Sequence, residues 1–185
     1  MKRFIIGVSI LIITGLASCI KIDPFKPAAP TIPPATQNGS NTMGAYVNGA
    51  IWNPLPSFYS TGIIADYSGT SFSIFSMCEN TSHNGKTSIY IALSNFTGTG
   101  SYSLNNVESA FGNSGHVSIS QYSSGKEYAT DSLHQGSVII THFDPNKRIV
   151  SGTFQISAVN QSDPSDVVQV TGGRFDIACP LNTIE

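Results

Sequence analysis

The residues best placed for a chemical step are Leu16-Ala17-Ser18-Cys19, which close a segment opened by Lys2 and Arg3 and continued by an uncharged run from Phe4 to Leu16. That run is too short to cross a bilayer comfortably as a permanent helix and reads as the apolar core of a secretory signal. A leucine, two small residues and a cysteine at its end look like the bacterial lipobox. In such a box the cysteine thiol receives a diacylglyceryl group, the preceding peptide is removed and the new amino terminus is acylated. The expected mature chain begins at Cys19, with the membrane as its partner through that lipid. Each buried methylene contributes about 0.8 kcal/mol; one acyl chain alone binds with a constant of roughly 10⁴ M⁻¹, and several chains on one cysteine make release negligible. Ile20 stands where an aspartate would retain many such proteins in the inner membrane, so outer-membrane placement is expected, on the periplasmic or cell-surface side.

Other candidate chemistry is sparse. His83, His116, His134 and His142 are far apart, and none has a partner at metal-ligand spacing. No nucleophile elbow frames a serine, and the acids are too scattered to nominate a glycosidase pair. Asp144, followed by Pro145-Asn146, suits a turn better than a calcium site, which needs many oxygen ligands. The expectation is therefore no catalytic residue, no metal and no cofactor. Asp131-Ser132-Leu133 fits a short sequon for O-glycosylation at Ser132. Trp52 and Tyr59, with Tyr46 and Phe58 nearby, offer a platform for sugar rings if exposed, or core anchors if buried; the core reading is favoured for Trp52 because aromatics dominate β cores.

Two cysteines remain after lipidation. Cys78 shares parity with Phe72 and Ile74, and Cys179 with Phe175 and Ile177, so both point inward. In an oxidising compartment they could form a disulfide stabilising by up to about 4.7 kcal/mol, or remain two buried thiols; the sequence leaves both readings open.

The net charge of -2, with charged residues at 11%, includes no run of lysine or arginine and argues against a nucleic-acid partner. A protein or glycan partner is left unnamed by composition. Residues 1–18 form the signal, and residues 19–41 carry the lipidated cysteine and a linker holding Pro24, Pro27, Pro30, Pro33 and Pro34, then Asn38-Gly39-Ser40-Asn41. Such a stretch is stiff and then flexible, a tether that lifts the body off the bilayer.

From Thr42 to residue 185 nearly everything reads as strand and turn. Asn48-Gly49 suits a tight hairpin within Ala45–Trp52. Ser71–Cys78, Thr87–Phe96 and Val117–Tyr122 read as strands, and Ile89, Ile91 and Leu93 show the period of two expected of a half-buried strand. Asp144-Pro145-Asn146-Lys147 joins Ser137–Phe143 to Arg148–Val159. In the last strand Val168 and Val170 are even while Phe175 and Ile177 are odd, so Gly172-Gly173 predicts a bulge that restores the apolar face to the core. Asn106–Gly112 has the spacing of one helical turn, with a strand the alternative. The predicted fold is all-β: an antiparallel β-sandwich or flattened barrel of about eight to ten strands.

Several segments resemble one family, small Bacteroidota lipoproteins with a single β-rich domain of unknown function. They are Tyr46-Val47-Asn48-Gly49-Ala50-Ile51-Trp52, Gly100-Ser101-Tyr102-Ser103-Leu104, the stretch from Gly136 through Phe143-Asp144 to Phe154, and Thr171-Gly172-Gly173-Arg174-Phe175-Asp176. The resemblance covers about Thr42 to Cys179 and implies lipoprotein topology and a β fold, with no known activity. The expectation is an anchored binding or scaffolding domain rather than an enzyme, the alternative being a carbohydrate-binding accessory lipoprotein.

Overall fold

A chain poor in helix formers and rich in alternating β-branched and hydroxyl residues has one economical way to bury its apolar half, as sheet. The computed structural model describes residues 31–54, 62–80, 85–108, 112–121 and 124–179. Along them run β1 (Thr42–Val47), β2 (Ala50–Trp52), β3 (Ile63–Tyr67), β4 (Phe72–Asn80), β5 (Gly85–Leu93), β6 (Gly100–Leu104), β7 (Ser114–Gln121), β8 (Ser124–Ala129), β9 (Gly136–Asp144), β10 (Ile149–Asn160) and β11 (Asp163–Ala178). Eleven strands exceed the eight to ten expected, because the short β2 and the polar β8 also pair.

Every strand pairing is antiparallel, and the strands form one sheet that does not close into a barrel. β10 is the hinge of the architecture. It pairs with β11 along its length and with β9 over Ile149–Ile156, and its last residues, Val159 and Asn160, cross to β8. The layer β2-β1-β11-β10-β9-β6 is thereby continuous with the layer β8-β7-β5-β4-β3. Between them the inward residues meet: Phe72 of β4 stacks on Phe175 of β11 at 5.9 Å, and Phe96 stacks on Tyr102 at 5.8 Å. Ile74, Ile89, Ile91, Val117, Val138, Val150 and Val170 are fully buried in the same cluster.

Local sequence explains the turns. Asn48 and Gly49, at φ 48° and 79°, reverse β1 into β2 as two positive-φ residues should. In the β9–β10 turn the Asp144 carboxylate accepts the amides of Asn146 and Lys147, each at 3.0 Å. The Asp144 side chain is a turn former.

The bulge expected at Gly172-Gly173 is present. Phe154 faces Gly173 while Ile156 faces Val170, so Thr171 and Gly172 together oppose Gln155 alone. Gly172 takes φ 60°, and the parity of β11 changes there: Val168 and Val170 before it and Phe175 and Ile177 after it all face the core. A Cβ on Gly173 would lie 2.6 Å from the Phe154 carbonyl oxygen and 2.7 Å from its ring. Gly173→Ala is expected to lower stability by about 2 kcal/mol, through overpacking against backbone that cannot yield. A fall in the urea midpoint with an unchanged slope would be the readout.

Two expectations are amended. Among the described residues of Asn106–Gly112 there is no helix: Asn106 makes an isolated bridge to Ser114, and the Asn105 and Asn106 amides both donate to the Asn113 carbonyl. These groups are satisfied across the loop, not along a helical turn; residues 109–111 lie outside the described residues. The stretch read as tether is, from Thr31 to Asn41, held against the body. The Asn53 amide donates to the Thr31 carbonyl at 2.6 Å, Ile32 is buried, and the Asn41 side chain accepts the Ala178 amide at 2.9 Å.

Candidate functional site

The bulge in β11 decides what the outer face of the β9–β10–β11 layer presents. With Phe175 and Ile177 turned inward, Arg174 and Asp176 point outward, side by side on one strand, roughly 7 Å apart along it. Their fates differ.

Asp176 is covered. The segment Thr36–Ser40 wraps over it, and its carboxylate accepts the Thr36 hydroxyl (2.6 Å), the amides of Asn38 (3.1 Å), Gly39 (2.8 Å) and Ser40 (3.1 Å), and the Ser151 hydroxyl (2.8 Å). Only 1% of the residue is exposed. Burial alone would raise its pKa, but the donors from Thr36, Ser40, Ser151 and Gly39 outweigh it and hold the carboxyl well below the usual carboxylate range. The site is a strap knotted onto the last strand by a buried charge.

Arg174 is open to a groove of about 440 Å³ lined by Ser137 and Ile139 of β9, Thr153 and Gln155 of β10, Gly172 and Arg174 of β11, with Ala35 of the strap at its rim. The cross-strand register arranges them in two rows: Ile139, Thr153 and Arg174 lie directly opposite one another, and Ser137 opposes Gln155. The buried Nε of Arg174 has no hydrogen-bond partner. No acidic residue lines the groove. A permanently charged, forked donor set therefore lines an open concavity of mixed polar and apolar surface.

The residues singled out by sequence are not gathered here. Cys19 and Tyr59 lie outside the described residues. Trp52 is 3% exposed and its indole N–H donates to the Thr87 carbonyl at 3.0 Å, so the sugar platform envisaged around it is overturned: the ring ties β2 to β5 inside the core. Cys78 and Cys179 are not bonded to each other; Cys78 is half-buried, Cys179 is buried, and burial pushes the Cys179 thiol up to about 11 against the opposing pull of Arg148. Ser132 is exposed, at the tip of a turn in which Asp131 accepts the amides of Leu133 (2.8 Å) and His134 (2.5 Å). His116 is half-buried, its pKa lowered by burial against a smaller opposing effect of Glu127. Among the described residues no three of His, Cys, Asp and Glu converge to hold a metal ion.

Arg174 and Asp176 are the residues sequence reasoning passed over. Their signal was present, since any bulge that returns Phe175 and Ile177 to the core must send the even-numbered neighbours Arg174 and Asp176 outward. Comparison with protein-family models, with curated proteins and with solved structures finds no match.

Proposed function

We propose that the chain is an exported lipoprotein, anchored through Cys19 at the outer membrane, whose β body is a binding module. The observation that carries the binding half is the groove beside Arg174, a concavity with a permanently charged guanidinium among its lining residues and no acid there to pair with it. A concave site with a few fixed polar groups is the default place for a ligand. The anchor half rests on the order of basic pair, uncharged core, small residues and cysteine at the amino terminus, and on the resemblance to small Bacteroidota lipoproteins. Ser132, exposed in its turn, is an accessible acceptor for the O-glycosylation its sequon suggests.

Metabolic labelling with palmitate tests the anchor. The wild-type chain is expected to incorporate label, lose residues 1–18 and sediment with membranes, while Cys19→Ser incorporates none and stays unprocessed. A wild-type protein that takes up no label would overturn the anchored reading.

A further inference from the structure

We infer that the Arg174 groove takes the carboxylate of an acidic saccharide, a uronic-acid unit within a glycan. This deepens the binding reading above and rests on it. Four observations converge on that ligand class.

The first is charge. The groove carries one guanidinium and, among its lining residues, no acid, so it favours a ligand with a negative group. The second is geometry. The planar guanidinium of the half-buried Arg174 matches a carboxylate bidentately where a single ammonium would not. The third is what surrounds the charge. Thr153 and Gln155 are exposed and Ser137 is half-buried, so three neutral hydroxyl and amide groups stand next to the guanidinium. A ligand with one carboxylate among several hydroxyls meets all of them, and the exposed Ile139 at the far end of the Arg174 row offers an apolar patch for the carbon face of a ring. The fourth is the sheet itself. β10 is flanked by β9 and β11, so its backbone groups are spent in the ladders and a peptide cannot add there as a further strand. The groove's volume of about 440 Å³ lies within the range of small-ligand sites, roughly 300–1,000 Å³.

The bulge explains why the arginine is there. Without Gly172 in its left-handed conformation, Arg174 would keep the parity of Val168 and Val170 and face the core.

The full-length chain in detergent, titrated calorimetrically at low salt, tests the inference. The probes are oligogalacturonate and oligoglucuronate, the methyl ester of each, and a short peptide whose free carboxylate is its C-terminus. At least one uronate oligomer is expected to bind, with its ester and the peptide at least about tenfold weaker. Arg174→Met is expected to weaken uronate binding by at least about tenfold, with an unchanged or higher thermal midpoint because an unpaired buried donor is removed. Arg174→Lys, which keeps the charge and loses the fork, is expected to fall between. Equal binding of ester and acid, unchanged binding by a folded Arg174→Met protein, preference for the peptide, or no binding of either uronate would each overturn the inference. Labelling with palmitate in the absence of uronate binding would sink the ligand while sparing the anchor; uronate binding without labelling would do the reverse.

Discussion

Asp176→Asn is expected to destabilise the fold by about 3 kcal/mol, although the change is nearly isosteric and the residue lies outside the apolar core. The reason is the count and polarity of its partners. Five donors converge on the carboxylate, three of them backbone amides from Asn38, Gly39 and Ser40. An asparagine supplies one acceptor oxygen and turns an NH₂ group toward donors, leaving part-buried N–H groups of the strap without their acceptor. The same charge makes stability depend on pH in a defined direction. The folded-state pKa is depressed, so the stabilisation is complete above the unfolded-state value, near 3.9, and is withdrawn as pH falls below it. Wild-type protein should lose stability steeply below about pH 4, and the Asp176→Asn protein much less so over the same interval. Urea midpoints measured between pH 2 and pH 7 would show it, and parallel curves for the two proteins would remove the knot from the account. Limited proteolysis should also cut the Thr36–Ser40 segment faster in the variant.

Trp52→Ala is expected to cost about 4 kcal/mol, by loss of transfer energy and by the cavity left between β2 and β5. Trp52→Phe keeps most of the packing and removes only the donor to the Thr87 carbonyl, so about 1 kcal/mol is expected. This is the chain's single tryptophan, which makes the test spectroscopic as well. Its emission should be that of a buried indole in the native protein, shift to the red on unfolding, and stay unquenched by aqueous iodide until then. An iodide-accessible native indole, or a Trp52→Ala protein as stable as wild type, would place the ring on the surface.

Much of the body was legible because its strands obey the period of two. β5 announces itself through Ile89, Ile91 and Leu93, and the β9–β10 hairpin through its proline turn and the alternation of Phe154, Ile156 and Ala158. β8 gives no such signal: four of its six residues are exposed, and it is held by pairing with β7 more than by burial. The bulge at Gly172 was readable as a change of parity. A second one in β9, where Val138 and Ile140 face the core and then Phe143 does, has the same signature without a glycine to mark it. The candidate site was harder. Asp176 looks like any surface acid between two apolar residues, and what buries it comes from Thr36, 140 positions away. Arg174 likewise gains meaning only when β9 and β10 set Ser137, Thr153 and Gln155 beside it.

On the anchoring proposed through Cys19, the knot on Asp176 also decides where a leash would meet the body, because Thr31 to Asn41 are moored to it. A pull from the bilayer would meet the Thr31–Asn53 contact beside β2 first, and then the Thr36 hydroxyl and three strap amides on the Asp176 carboxylate, on a strand braced by β1 and β10 on either side. Ala35 belongs both to that mooring and to the rim of the groove. Tension on the leash and occupancy of the groove would therefore be felt by the same strand.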